Sequence, residues 1–341
     1  MRLSSCPNRR HLLGLAATAA ALAALPAAQA QTAEIKPAQR AEGSWPNKPI
    51  RIIVAFPPGG LTDAYARLYA EHLTAKFGVP AVVENKPGAG AILGIDAVAK
   101  SAPDGYTLLM TTSGTVWQNR VLYTKLPYNL DKDVVPIAVF PSGPLVVGVP
   151  EKLGITSYRE LIAYAKVNPS NMGSYAPGSY PQMVADQANR TEGTNLLTVN
   201  YKGESPMWID VASGQLTVAI GSYQAFNTVS TRGVKAIGVT GSYRSPKLPD
   251  VPTLVEQGVT SRLVQLEGGL PLMAPAGTPE AVLQALSQLV VEGANTPRAV
   301  QIRESFAIPN KPKNLADTRA DWARDVPVWI KLAVDLAIKL D

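Results

Sequence analysis

The chain has 341 residues, 46% of them hydrophobic and 17% charged, and 32 basic against 26 acidic side chains give a formal charge of +6. Without Arg2, Arg9 and Arg10 of the N-terminal segment the balance is 6 − 3 = +3; with no basic patch or aromatic-basic motif either, this excludes nucleic acid as a partner. One cysteine, Cys6, and two histidines, His11 and His72, leave no parts for a disulfide, a metal cluster or a histidine-based catalytic set.

Residues 1–30 read as an export signal. Arg9-Arg10 precede an alanine-rich apolar run from Leu12 to Leu25, and Ala28-Gln29-Ala30 offers small residues for cleavage after Ala30. The paired arginines point to the twin-arginine route, although a basic start also serves the general secretory route. The run is shorter than the roughly 20 residues that span a bilayer, and no longer one follows, so the mature protein is expected free in the periplasm. Residues 31–44 are polar and aperiodic, the pattern of a flexible leader.

Ile50 to Ala55 is a buried strand that Phe56-Pro57-Pro58-Gly59-Gly60 ends, and Thr62 or Asp63 is placed to cap a helix over 62–77. Such a helix start offers unpaired N–H groups and a positive dipole end, so the stretch from Phe56 to Asp63 is expected to hold a carboxylate or a phosphate. A second strand, Ala81 to Asn85, makes the crossover right-handed and the sheet parallel. The turn Gly88-Ala89-Gly90-Ala91-Ile92-Leu93-Gly94 departs from the dinucleotide fingerprint in spacing and position, and close backbone packing explains it better.

A third strand, Tyr106 to Thr111, ends in Thr112-Ser113-Gly114-Thr115. That hydroxyl-rich turn is either a ligand loop or an ordinary cap for the helix carrying Trp117 and Gln118. Two strand-like runs between Val134 and Val149 are split by Pro141-Ser142-Gly143-Pro144, where the chain is expected to cross into a second domain. There the pattern repeats, with turns Gly178-Ser179-Tyr180, Tyr201-Lys202-Gly203 and Gly221-Ser222-Tyr223 at strand ends. Lysines are usually exposed, so Lys202 alone reads as surface charge. Leu270 to Ala274 is the strand expected to cross back, and helices close the chain. The last carries Trp322, Val326, Trp329, Leu332 and Ala333 at core-packing spacing.

Several blocks together resemble the extracytoplasmic solute-binding proteins of tripartite tricarboxylate transporters, the Bordetella uptake gene (Bug) family. They are Trp45-Pro46-Asn47-Lys48-Pro49, Phe56-Pro57-Pro58-Gly59-Gly60 with Asp63, Val83-Glu84-Asn85-Lys86-Pro87-Gly88, Pro103-Asp104-Gly105-Tyr106, Tyr201-Lys202-Gly203 and Leu248-Pro249-Asp250-Val251-Pro252-Thr253. The resemblance implies a type II periplasmic-binding-protein-like α/β fold: two doubly wound domains, 45–142 with 268–341 and 143–267, joined by two crossing segments. It implies a monomer without cofactor or catalysis that closes on a small carboxylate and hands it to membrane permease subunits. One ligand carboxylate is expected on the backbone of Phe56, Gly59, Gly60, Leu61, Thr62 and Asp63 and of Thr112, Ser113 and Gly114, partly through water. The rest is expected near Gln118, Gly178, Ser179, Tyr180, Tyr201, Lys202, Gly203 and Gly221.

Departures from the family pattern bear on the ligand. Leu61 replaces a frequent glycine and narrows the mouth of the site, and Thr217 and Gly221 stand where aspartates are common, which argues against a ligand ammonium group. Tyr65, Trp117, Tyr180 and Tyr223 offer aromatic surface for the cleft, so an aromatic mono- or dicarboxylate is the first expectation and an aliphatic di- or tricarboxylate the second. Presentation to a sensor kinase is the close alternative role. An exported hydrolase using Ser113 lacks both the G-x-S-x-G elbow and a placed base.

Overall fold

The computed structural model describes residues 34–38 and 44–336; the expected export signal lies outside them. Part of the expected leader is anchored, since the Ala38 N–H donates to the Lys76 carbonyl and Ile35 packs on the core.

The chain runs β1 (Ile50–Val54), α1 (Leu61–Phe77), β2 (Ala81–Asn85), α2 (Ile92–Ala99), β3 (Thr107–Met110), α3 (Ser113–Leu122) and β4 (Val134–Pro141). It continues through β5 (Val146–Pro150), α4 (Tyr158–Val167), β6 (Ser170–Ser174), α5 (Tyr180–Glu192), β7 (Leu196–Asn200), α6 (Glu204–Ser213), β8 (Val218–Gly221), α7 (Tyr223–Asn227) and β9 (Val234–Val239). Then follow α8 (Arg262–Gln265), β10 (Gly269–Pro275), α9 (Glu280–Gly293), α10 (Pro297–Ser305) and α11 (Leu315–Leu336).

These strands form two sheets of the same plan, ordered β2-β1-β3-β10-β4 and β7-β6-β8-β5-β9. Strand β1 pairs in parallel with β2 and β3, and β6 with β7 and β8, as strand-helix-strand crossovers require. In each sheet the antiparallel strand is the one that has just crossed from the other, β10 in the first and β5 in the second. The crossings are tied together: the Ser142 hydroxyl donates to the Gly268 carbonyl, and Leu145 and Thr240 exchange two hydrogen bonds.

Alternation along the strands sets the layers. Ile50, Ile52 and Val54 face α1 and α9 through Tyr65, Leu68 and Leu286, whereas Ile53 and Leu109 face α2, α3 and α11. In the second sheet Val147 and Val218 face α4 and α5, and Val146 and Ala219 face α6 and α7 around Trp208. The close packing read into the glycine turn is present, since a Cβ on Gly94 would stand 2.8 Å from the Ala55 Cβ. Helix α11 uses its apolar face as core, with Val326, Trp329 and Ala333 buried. Among the described residues no helix is long and apolar enough to cross a membrane.

Candidate functional site

Five loops collect at the carboxyl ends of the parallel strands, where open α/β sheets place ligands: two in the first sheet, after β1 and β3, and three in the second, after β6, β7 and β8. Four of the helices that leave them, α1, α3, α5 and α6, have no side-chain cap.

The start of α1 differs from expectation. Gly60, not Thr62 or Asp63, is the N-cap, and both of those residues are buried inside the first turn. Asp63 is already committed elsewhere: Oδ2 accepts from the Gly59 N–H (3.1 Å) and Arg67 Nε (2.9 Å), and Oδ1 from Arg67 Nη2 and Asn85 Nδ2 (both 3.0 Å). The same Asn85 amide also donates to the Phe56 carbonyl. Burial alone would raise the Asp63 pKa, but the bonds from Arg67, Asn85 and Gly59 and the Arg67 charge outweigh it and hold the carboxyl below its usual range. Asp63 therefore pins the Pro57–Gly60 loop from behind, with Gly59 in the left-handed region at φ 95°. The first-turn amides of Leu61, Thr62 and Asp63 remain for an anion. Leu61 is half-buried against the core of the first sheet.

At the β3 loop Thr112 is the N-cap of α3 without a side-chain capping bond, its hydroxyl donating instead to Thr115 Oγ1, and the Thr115 hydroxyl donates back to the Thr112 carbonyl. Ser113 is 1% exposed and its hydroxyl donates to the Gly269 carbonyl at the start of β10, so it ties α3 to the returning strand. Gln118 is buried one turn on, beside Gly114. His72 lies between α1 and the α9–α10 turn, 3.2 Å from the Thr296 hydroxyl, its pKa lowered to about 4 by burial and by Arg298.

In the second sheet the Gly178 N–H donates to Gln182, and the Ser179 hydroxyl pairs with Ser174. The Tyr201 hydroxyl donates to Asp210 at 2.6 Å, and burial and that carboxylate push its pKa up to about 12. Lys202 is exposed and forms no ion pair among the described residues; Gly203 adopts φ 106° and its N–H donates to the Tyr175 carbonyl. Gly221 is buried under Trp208 and Glu204.

A family model described as the tripartite tricarboxylate transporter family receptor matches residues 65–317. The chain belongs to this family. It is 31% identical to the protein BugT of Bordetella pertussis over 304 residues, which covers 87% of this chain and 92% of that protein. Among solved structures, R. palustris Rpa4515 with adipate is similar at 29% identity and a TM-score of 0.77, covering 87% of this chain and all of that one. MatC from Rhodopseudomonas palustris with bound malate is similar at 26% identity and a TM-score of 0.74, covering 86% and 100%.

Within this receptor fold two of the four rings expected to line the cleft are core, and the other two are partly buried. Tyr65 is 1% exposed and stacks on Phe140 at 4.7 Å, and Trp117 is 5% exposed between Trp322 and Trp329. Tyr180 sets its ring against Trp329 and donates its hydroxyl to the Leu263 carbonyl, while Tyr223 gives its hydroxyl to Asn227 on its own helix. Thr217 precedes β8, at the end of the sheet away from the ligand loops, where its hydroxyl accepts from the Asn171 N–H. Its lack of a carboxylate therefore says nothing about the ligand. Sequence reasoning passed over Glu204, which supplies an acid beside Gly221. A carboxylate directly after the Tyr201-Lys202-Gly203 turn was the available signal.

Proposed function

We propose that this receptor is an exported, monomeric periplasmic protein that captures a small aliphatic dicarboxylate between two closing domains and delivers it to the membrane subunits of a tripartite transporter. Residues 45–142 with 268–341 form one jaw and 143–267 the other. One carboxylate sits on the amides at the start of α1 and α3, with Phe56, Gly59, Gly60, Thr112 and Gly114 around it. The other end meets Gly178, Ser179, Tyr201 to Gly203 and Gly221.

The observation that carries this reading is the start of α1, where four hydrogen bonds to Asp63 hold an uncapped helix N-terminus open to an anion. The choice of an aliphatic body is supported by the burial of Tyr65 and Trp117, which removes two of the four rings that favoured an aromatic one. The adipate and malate held by similar proteins point the same way. Binding without catalysis is supported by Ser113, whose hydroxyl is given to a backbone carbonyl and not to a base.

A thermal-shift panel of adipate, malate, citrate, phthalate and benzoate tests the proposal. An aliphatic dicarboxylate at a hundredfold its Kd adds about 2.7 kcal/mol of stability by mass action. A shift with phthalate or benzoate alone would overturn the aliphatic assignment, and no shift with any acid would overturn carboxylate capture.

A further inference from the structure

Glu204 opens α6 directly after Gly203, and its carboxyl spans from the loop after β7 to the loop after β8, past the end of the intervening β6. Oε2 accepts from both the N–H and the hydroxyl of Ser222. Oε1 has no hydrogen-bond partner among the described residues, and the side chain is only partly exposed. Among the described residues no cation pairs with it. Lys202, two residues earlier, is exposed and forms no ion pair among them, Tyr201 is turned to Asp210, and Tyr223 is turned to Asn227. Tyr175, at the end of β6, feels the Glu204 charge, which with burial raises its own pKa. Behind Glu204 the fully buried Trp208 indole N–H has no partner; a Cβ on Gly221 would stand 2.9 Å from that nitrogen and 3.3 Å from the Glu204 Cδ.

Burial raises the pKa of a carboxyl group so placed above the ordinary carboxylate value, and only the two Ser222 bonds oppose that. A ligand carboxylate arriving beside it adds a like charge, and two carboxylates at close range share one proton.

We propose that Glu204 selects the far end of the ligand: its protonated carboxyl donates from Oε1 to the second carboxylate, so that a dicarboxylate is taken up together with one proton. The proposal rests on the carboxylate function above. Wherever Glu204 is ionised in the free protein the proton comes from solvent, an O–H bond of hydronium being exchanged for one on Glu204, and it returns to water on release.

Calorimetric titration of the mature protein with adipate between pH 5 and 9, in two buffers of different ionisation enthalpy, tests it. Proton uptake should approach one per adipate as the pH rises above the Glu204 pKa, and affinity should fall there by about tenfold per pH unit. Glu204→Gln, which keeps a donor and cannot ionise, should bind adipate with a flat pH profile and no uptake. Ser222→Ala removes one donor to Oε2, disfavours the anion further and should move the fall in affinity to higher pH. Adipate binding by the unaltered protein without proton uptake, or uptake that persists in Glu204→Gln, would overturn the proposal and leave carboxylate capture standing. Absence of binding by every acid of the panel at every pH would remove the function itself and the proposal with it.

Discussion

In the first sheet the loops after β1 and β3 offer an anion backbone amides, and the charges near α1 are spent on one another: Asp63 is closed by Arg67, Asn85 and the Gly59 N–H. In the second sheet the corresponding loops carry polar side chains that are only partly satisfied, with Glu204 on Ser222, Tyr201 on Asp210, and Lys202 exposed and without an ion pair among the described residues. Amides fixed by a buried network need no reorganisation and respond to any carboxylate. Partly satisfied side chains respond to what the carboxylate is attached to, because a wrong group leaves a polar atom without a partner. Under the proposed function, one half anchors and the other discriminates.

Removing the pin should have the largest effect. Asp63→Ala takes the acceptor from the Gly59 N–H and the carboxylate from Arg67, leaves the Asn85 amide only its bond to the Phe56 carbonyl, and should cost about 3 kcal/mol in urea unfolding. Adipate affinity should fall with it, since the loop loses its support. The Asp63 contribution is present above the unfolded value near 3.8 and is lost as pH falls through its lower folded value.

His72 adds a pH dependence of the same sign in a higher window. Its folded pKa of about 4 lies below the ordinary 6.5, so between those values the unfolded chain binds a proton that the folded chain refuses. Stability should fall as pH drops through that window, by about 2 kcal/mol at pH 5 relative to pH 7.5, from roughly 1.4 kcal/mol per pH unit. At pH 5 Asp63 is still ionised, so the loss enters through the α1–α9–α10 packing. Melting curves of His72→Gln at the two pH values should lie closer together than those of the unaltered protein.

What the sequence made legible was periodic or punctuated. Apolar runs and glycine-proline breaks located β1 to β5 and β10, and the turns after β6, β7 and β8 marked where those strands end. What it hid was the direction in which a side chain is spent. Asp63 has the composition of a cap and instead bonds Arg67 one turn later and Asn85 on the neighbouring strand, a contact fixed by sheet register. Tyr65 and Trp117 stand beside ligand loops in sequence, yet helical phase turns them into the cores on either face of the first sheet. Glu204 meets Ser222 across 18 residues and an intervening strand, which no local pattern announces.

Gly221→Ala tests the discriminating half. The new Cβ would press on Trp208, which is fully buried, and on the Glu204 carboxyl. Overpacking there should cost about 1 to 2 kcal/mol. Selectivity between adipate and malate should change, while the α1 loop, measured by amide exchange at Gly59 to Asp63, should not.

The smallest effect belongs to Tyr180, and it decides which half that residue serves. Its ring leans on Trp329 of α11 and its hydroxyl bonds the Leu263 carbonyl in the second crossing, while Arg190 further along α5 donates to the Asp335 carbonyl of α11. These contacts make Tyr180 a joint between α5, the crossing segment and the last helix, and burial pushes its pKa well up, so it stays neutral as a donor. Tyr180→Phe keeps the ring contact and removes only the hydrogen bond, so it should cost about 1 kcal/mol of stability. Adipate affinity should stay within about twofold, because the carbonyl it leaves lies in the segment between β9 and β10 and not in a loop assigned to the ligand. A tenfold loss of affinity with unchanged unfolding would instead return Tyr180 to the ligand and place an aromatic side chain in the discriminating half.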